Sequence, residues 1–213
     1  MLVIASNARS AEPCDAFFAL LPNVQRVECE AAKLQPTSAR SVKGRTIYTS
    51  DIRPAEARWR VLVVGGIHGD ELSSTSVALH WIGLAQADPA QVSWRFIPAL
   101  NPDGLLSRPA RRMNAHGVDL NRNFPTPNWR RESAVSWSQK TRRDPRRWPG
   151  KNAASEPETR FLVAEMQRFK PHLIVSIHAP YDLLDFDGPI EPPSQLGRPG
   201  AGAASHSALI SPF

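Results

Sequence analysis

Cysteine is scarce in this chain, with only Cys14 and Cys29 among 213 residues. Two cysteines are too few for a small scaffold that depends on several disulfide bonds. They suit a protein of the reducing cytosol, where thiols stay unpaired and pack as small apolar side chains. We therefore expect both thiols to be free and without a role, and we predict a cytoplasmic location.

Long apolar runs are lacking as well. No run approaches the roughly 18 residues of a membrane-spanning helix, and the start of the chain lacks the basic region and sustained apolar core of a signal peptide. No internal repeat occurs at a fixed period. Because 213 residues can enclose a sizeable core, we predict a single domain. Because long apolar runs are lacking, we predict no membrane partner.

Acidic residues are outnumbered, with 20 Asp and Glu against 26 Lys and Arg, so the net charge is +6. Much of the excess comes from arginines between Arg108 and Arg147. A basic chain invites a nucleic-acid partner, but no recognised binding motif accompanies the charge. We expect no nucleic-acid partner, and we assign the arginines to a solvated loop and to a pocket for an anionic substrate.

Short apolar runs alternate with amphipathic segments from residue 59 onward. Strands are predicted over 60–64, 94–100 and 173–177, and helices over 70–85 and 155–169. The second helix has Ser155 as a natural N-cap, and Glu158 completes a capping box. This alternation predicts an α/β fold, a single domain with a mixed, largely parallel sheet flanked by helices.

Composition divides the chain into three parts. Residues 1–58 form an N-terminal segment with at most short elements, and residues 59–195 form the main, catalytic part of the domain. Within that part, 125–150 is predicted to be a polar, arginine-rich loop. Residues 196–213 are small and turn-prone, without a strand or helix period, and they predict an irregular tail.

A histidine and a carboxylate lie three residues apart where the first predicted strand turns into a helix. His68 and Glu71 belong to the segment GGIHGDE. Imidazole and carboxylate are both zinc ligands, and a third ligand from elsewhere would leave a coordination position open. On its own such a pair is more often an ordinary solvated one. His178, however, also follows a predicted strand, and ligands gather where such strands end.

A second polar cluster lies at 112–125, with the sequence RMNAHGVDLNRNFP. Arginine offers a planar fork of donors that matches a carboxylate, and asparagine adds an amide donor. This set of side chains favours a pocket for a carboxylate-bearing ligand.

Six segments together resemble the zinc carboxypeptidase family and occur in that family's order. They are GGIHGDE (65–71), NPDG (101–104), RMNAHGVDLNRNFP (112–125), ASEPETR (154–160), SIHAP (176–180) and DFDGP (185–189). The resemblance covers roughly residues 60 to 190. It implies a zinc hydrolase with one Zn²⁺ per chain, held by His68, Glu71 and His178.

The resemblance also implies roles for residues of the arginine cluster. Arg112, or alternatively Arg111, would polarise the scissile carbonyl and stabilise the oxyanion. Asn121 and Arg122 would grip the terminal carboxylate of the substrate. Two acidic residues in these motifs, Asp103 and Asp119, are expected to be structural.

The implied reaction is hydrolysis of an amide bond in a small cell-wall peptide with free carboxylates, of the γ-D-glutamyl-diaminopimelate type. One alternative is a carboxypeptidase that trims ordinary or D,L-peptide C-termini, because the Asn121–Arg122 pair serves either substrate. Another is a homologue that binds zinc and carboxylates without catalysis.

The family's proton-transferring glutamate, on a late strand, has no evident counterpart. The acids after His178 are Asp182, Asp185, Asp187 and Glu191. We expect the chain to lack the last elements of the fold, through truncation or a frame shift after about Leu196. The alternatives are a metal-binding homologue without turnover, or one of these four acids in the catalytic role.

Overall fold

The computed structural model describes residues 8–179, 184–186 and 207–211. The helices are α1 (Ala8–Phe18), α2 (Arg26–Ala31), α3 (Leu72–Ala87), α4 (Pro102–Leu105), α5 (Trp129–Val135) and α6 (Pro157–Phe169). The strands are β1 (Gln35–Arg40), β2 (Thr46–Ile52), β3 (Trp59–Val64), β4 (Val92–Ile97), β5 (Leu173–His178), β6 (Leu184–Phe186) and β7 (Ser207–Ser211). No helix in these ranges is both long and apolar enough to cross a membrane.

The strands form one mixed sheet in the order β1-β2-β4-β3-β5-β7-β6. Its centre is parallel, because β3 pairs in parallel with both β4 and β5. The β1–β2, β2–β4 and β5–β7 pairs are antiparallel, and β6 runs parallel to β7. The predicted α/β class with a mixed sheet is confirmed.

Strand β3 is covered on both faces, which explains its continuous apolar sequence. Val61 and Val63 belong to a core cluster with residues of α1 and α3. Leu62 and Val64 point to the opposite face and pack in a second cluster with Leu162 of α6. Successive side chains of a strand alternate between faces, so this one strand anchors helices on either side and fixes the loop that follows it.

The N-terminal part holds more structure than the sequence predicted. Helices α1 and α2 pack together and are joined by a disulfide between Cys14 and Cys29, both fully buried. The expectation of two free thiols was therefore wrong. The helices bring the two Cα atoms to 5.7 Å, a separation that a disulfide can span. The spacing of fifteen residues between the cysteines did not predict the disulfide, because the bond depends on how two separate helices pack together.

Helix α6 begins at Pro157, two residues later than expected, and Glu156 is its N-cap residue without a side-chain capping bond. The Ser155 hydroxyl donates to Glu156 Oε1 at 2.7 Å, and Glu158 accepts from the Val42 backbone N–H at 3.1 Å. The predicted capping box was therefore wrong. Proline at the first helical position supplies the helix start instead.

Two segments expected to be irregular contain regular elements. The arginine-rich segment at 125–150 includes α5, a π-helical turn at Ser136–Lys140 and a 3₁₀ turn at Pro145–Arg147. In the tail, β7 pairs antiparallel with β5, with Val175 opposite Ile210, so the prediction of no strand was wrong there. The composition of the tail did not predict this strand, because β7 forms by pairing with β5, which is distant in the sequence. Of the four acids after His178, Asp185 lies in β6 and the other three lie outside the described residues.

Candidate metal centre and active site

The first two predicted ligands lie on the loop between β3 and α3. Gly66 there has φ +57°, a conformation that side chains disfavour, and a Cβ on it would meet Thr75 Oγ1 at 2.8 Å. This turn carries His68 away from the sheet and places Glu71 at the N-cap position of α3. His178 is the last residue of β5, the parallel neighbour of β3. The carboxyl ends of two adjacent parallel strands thus converge.

The three predicted ligands come together as a compact group. His68 Nδ1 lies 2.8 Å from Glu71 Oε1, and His178 Nδ1 lies 3.1 Å from Glu71 Oε2. The two Nδ1 atoms are 3.2 Å apart. One ligand atom from each residue falls within 4.8 Å of the others. Both histidines are buried.

The donor set fits a zinc ion. His68 Nε2 lies 3.1 Å from Asp119 Oδ1, and because a carboxylate only accepts, the proton of the neutral ring belongs on Nε2. Its Nδ1 lone pair then faces the oxygens of Glu71 and the Nδ1 of His178. Acceptor atoms converging in this way need a cation among them. Two imidazoles and one carboxylate are a catalytic zinc set with an open fourth position.

The pKa values of His68 and Glu71 also indicate that the ligand group lacks positive charge. Burial opposes a charged His68 ring, but its bonds to Asp119 and Glu71 outweigh burial and raise its pKa. Burial alone would raise the pKa of Glu71, yet the bonds from His178 and His68 lower it to about 2. The cluster therefore attracts a cation, whether that cation is a proton or a metal ion.

Asp119 links the ligand cluster to the arginines. It is fully buried and accepts at Oδ2 from Arg112 Nε at 3.1 Å, Arg112 Nη2 at 3.0 Å and Arg122 Nη1 at 2.6 Å. Its Oδ1 faces His68 and also accepts from the Asn121 backbone N–H at 3.1 Å. Burial alone would raise its pKa, but these partners lower it to about 2. Sequence reasoning gave Asp119 a structural role and missed that it orients a ligand.

Arg112 lies beside the ligand group, where the resemblance placed the oxyanion-stabilising arginine. Its Nη1 is 3.5 Å from Glu71 Oε1, and its side chain is 18 % exposed. The backbone is fixed too, because Arg112 O accepts from Gly69 N at 3.3 Å and from Asn101 Nδ2 at 3.1 Å. Arg111, the alternative, is exposed, and no ion pair of its side chain is seen within the described residues.

The histidine loop, the NPDG turn and the arginine cluster meet through their backbones. A Cβ on Gly69 would overlap the main chain of Gly104 and Leu105. A Cβ on Gly104 would lie 2.5 Å from Arg111 O. Only glycine allows such close approach, so these three motifs pack as one unit. Asp103 in that turn accepts from Ser41 Oγ and Lys43 N, each at 2.9 Å, a structural role as expected.

The other two predicted substrate residues lie on the 3₁₀ turn Leu120–Arg122, which Asp119 caps. Arg122 already pairs with Asp119, as described above, and its side chain is 32 % exposed. Asn121 lines a large cavity of about 940 Å³ between β5, α6 and the segment after Phe124. The pair is thus near the ligand group, and its role in holding a carboxylate remains a prediction.

A second cavity, of about 530 Å³, opens directly on the ligand group. Glu71 and Arg112 line it on the side of the predicted metal. Arg146 and Arg147 line it on the other side, from the 3₁₀ turn of the arginine-rich segment. The sequence predicted that the arginines between Arg108 and Arg147 belong to a solvated loop and to a pocket for an anionic substrate, without indicating which of them lie at the site. Their position depends on contacts between separate segments, such as the bond from Asp119 N to Trp148 O and the ion pair of Arg146 with Asp70.

The fold and the donor set are of the zinc carboxypeptidase type, and the sequence agrees. The pattern of the zinc carboxypeptidase family matches residues 30–186, so this chain belongs to that family. The match begins well before residue 60, where the recognisable motifs start. It therefore includes β1 and β2 in the family domain.

Among curated relatives, murein peptide amidase A of Escherichia coli strain K12 is 38% identical over 129 residues, covering 60% of this chain and 52% of the relative. Murein peptide amidase A of Vibrio campbellii is 33% identical over 165 residues, covering 76% of this chain and 64% of the relative. This chain thus spans between half and two thirds of the length of these relatives.

Solved structures show the same fold. The murein-tripeptide amidase of Escherichia coli O157 superposes with a TM-score of 0.51 at 31% identity, covering 70% of this chain and 62% of that one. Bovine thrombin-activatable fibrinolysis inhibitor, solved with a tick carboxypeptidase inhibitor, gives a TM-score of 0.61 at 20% identity, covering 80% of this chain and 61% of that one. The second likeness concerns the fold alone.

Proposed function

We propose that this chain is a zinc-dependent amidase of small cell-wall peptides, cleaving an amide bond of the γ-D-glutamyl-diaminopimelate type. The observation that carries the proposal is the convergence of His68, Glu71 and His178 beside Arg112. The names of the curated relatives, murein peptide amidase A, support the substrate class.

His68, Glu71 and His178 would hold the zinc ion, which when bound supplies Lewis-acid polarisation of the scissile carbonyl and activation of water. Arg112 points its guanidinium toward the same place and would stabilise negative charge developing on the carbonyl oxygen. Asp119 fixes the tautomer of His68 and the direction of Arg112 at once.

Asn121 and Arg122 would bind the carboxylate of the leaving amine component. Arg122 donates to Asp119 at 2.6 Å, so one of its nitrogens is already engaged. The planar guanidinium keeps further N–H donors for a second carboxylate. A substrate with a free carboxylate on the amine side would therefore add a partner to Arg122 rather than replace Asp119.

A direct test is to incubate the zinc-loaded protein with murein tripeptide and to measure release of diaminopimelate by mass spectrometry. We expect release from the zinc-loaded protein and none after chelation or in a His68→Ala variant. Absence of release from a zinc-loaded, folded chain would contradict the proposed substrate.

A carboxypeptidase of ordinary or D,L-peptides is the alternative within the same class, since the Asn121–Arg122 pair suits either terminal carboxylate. A panel of γ-linked and α-linked peptides with the same C-terminal residue separates the two. Preference for the α-linked series would favour this alternative.

Zinc and carboxylate binding without turnover is the second candidate, and one observation favours it. Every described carboxylate at the site has a partner: Glu71 meets the histidines, Asp119 meets the arginines, and Asp70 accepts from Arg146 at 2.6 Å. A general base must be available to take a proton from water. Stoichiometric zinc binding together with binding of the tripeptide, but no product, would establish this function.

A cytoplasmic location stays a prediction, and the Cys14–Cys29 disulfide counts against it. Disulfide bonds persist in oxidising compartments and are rare in the cytosol. Trapping free thiols with an alkylating reagent as cells are lysed, followed by mass spectrometry, decides the question. Two alkylated cysteines would support the cytoplasmic prediction.

A further inference from the structure

The 530 Å³ cavity beside the ligand group has two arginines in its lining that the proposed function leaves unused, together with Asp70 and Asp144, the acids that pair with them. Arg146 and Arg147 line it from the 3₁₀ turn Pro145–Arg147. The leaving-group residues Asn121 and Arg122 line other cavities. Arg146 and Arg147 therefore line a different cavity from Asn121 and Arg122.

The turn that carries these arginines is firmly held. Asp144 Oδ1 caps it by accepting from Arg146 N at 2.9 Å, and Trp137 Nε1 donates to Asp144 O at 2.9 Å. The next residue, Trp148, accepts at its carbonyl from Asp119 N at 2.8 Å. The turn is thus tied through its backbone to the residue that orients His68, and its side chains start from fixed positions.

The arginines around the cavity differ in how far they are already paired. Arg112 makes two bonds to the fully buried Asp119, and Arg146 pairs with Asp70 at 2.6 Å. Arg147 has a single ion pair within the described residues, from Nε to Asp144 Oδ2 at 3.5 Å, and its side chain is 46 % exposed. Both of its terminal nitrogens remain for a carboxylate, which matches a guanidinium in a two-bonded arrangement.

We propose that Arg147, with Arg146 beside it, binds a carboxylate on the acyl side of the scissile amide. This inference rests on the proposed function, in which Asn121 and Arg122 take the carboxylate of the amine side. A γ-linked glutamyl residue keeps its α-carboxylate free on the acyl side, whereas in an α-linked residue the α-carboxyl group is itself part of the scissile amide. Arg147 would thus select γ-glutamyl substrates over ordinary peptides.

The test compares two substrates that differ in one group. One is the γ-D-glutamyl-diaminopimelate peptide with a free α-carboxylate, and the other has that carboxylate amidated. We expect the zinc-loaded protein to favour the free acid by about 10-fold or more in kcat/KM, since a hydrogen bond to a charged group contributes on this scale. Arg147→Gln should remove the preference by raising KM for the free acid, with the amidated substrate little changed.

Two further variants serve as controls. Arg147→Lys keeps the charge without the planar fork and should retain part of the preference. Arg143→Gln removes an exposed arginine of the same segment that does not line the cavity, and it should leave the preference intact. An equal loss in Arg143→Gln would show that overall charge, and not Arg147, decides the selectivity.

Binding of an uncleavable analogue separates this inference from the proposed function. The analogue has a methylene in place of the scissile carbonyl and is made in free-acid and amidated forms. Tighter calorimetric binding of the free acid, lost in Arg147→Gln, supports the inference even where no turnover of the tripeptide is seen. Equal affinity for both forms, or no binding of either, overturns it.

Discussion

Asp119 and Glu158 are both fully buried carboxylic acids, and their surroundings shift their pKa values in opposite directions. Asp119 has two arginines and a histidine around it, and its pKa falls to about 2 despite burial. Glu158 has the amide of Asn114 and a backbone N–H, and burial raises its pKa. Depth alone does not decide the charge of a buried acid, because cationic partners outweigh desolvation and neutral ones here do not.

The largest effect on stability should come from adding zinc. Zinc would bind at the ligand group that Asp119 orients, and we expect it to leave the surroundings of Glu158 unchanged. At free zinc of 1,000 times the Kd, we expect the free energy of unfolding to rise by about 4 kcal/mol. Glu158→Gln should keep this increase, because Glu158 contacts none of the ligands. Asp119→Asn should reduce it, since zinc affinity falls about 10- to 100-fold when a group orienting a ligand is lost. Thermal unfolding with and without zinc measures all three.

Loss of the charge of Asp119 should be the next largest effect, measured without metal. Asp119→Asn leaves Arg112 and Arg122 without a buried anion, and we expect a loss of about 3 kcal/mol in urea unfolding. The matched control is Asp15→Asn, which removes the same charge from an exposed pair with Arg26 and should cost less than about 1 kcal/mol. Equal losses in the two variants would mean that Asp119 gains nothing from its partners.

The smallest effect concerns Glu158 and appears as a pH dependence. Its pKa is raised in the folded protein, so the folded state holds the proton more tightly than the unfolded state does. The stability contribution of Glu158 is therefore present at acid pH and is lost as pH rises from its ordinary pKa through the raised one. As the pH rises through this interval, the free energy of unfolding of Glu158→Gln should increase by about 1 kcal/mol relative to that of the native chain.

Urea unfolding of the native protein and of Glu158→Gln at a series of pH values from 4 to 8, with all other conditions held constant, checks this expectation. Glu165→Gln is a useful comparison, because its pKa is also raised by burial although Arg95 opposes the shift. The assignment would be contradicted if the stability of Glu158→Gln minus that of the native protein stayed constant or fell as the pH rose.

The ligand group was predictable from the sequence because its geometry is local. His68 and Glu71 sit on one turn after β3, and His178 ends a strand whose apolar run is plain. The β3 and β5 strands and the α3 helix were found within a few residues for the same reason. Periodicity indicates which residues face a core and so where the strands end, and the resemblance to the zinc carboxypeptidase family supplies the choice of His68, Glu71 and His178 as ligands.

What the sequence missed depends on contacts between separate elements. The pairing of Cys14 with Cys29, the bond from Asp119 to His68 and the position of Arg147 over the cavity all need the packed fold. Glu158 shows the converse error, because its spacing from Ser155 suggested a local cap. Burial of the side chain under the turn at Val42 overrode that local preference.

The close packing of Gly69 against Gly104 has a consequence for any attempt to enlarge the site. The spacing between the backbones of the histidine loop and of Arg112 is set by main chain against main chain, so a change of side-chain rotamer alone does not alter it. A redesign for bulkier substrates would have to exchange both loops together as one cassette. The outer arginine-bearing turn is a separate place to vary specificity, provided that the bond from Asp119 N to Trp148 O is kept.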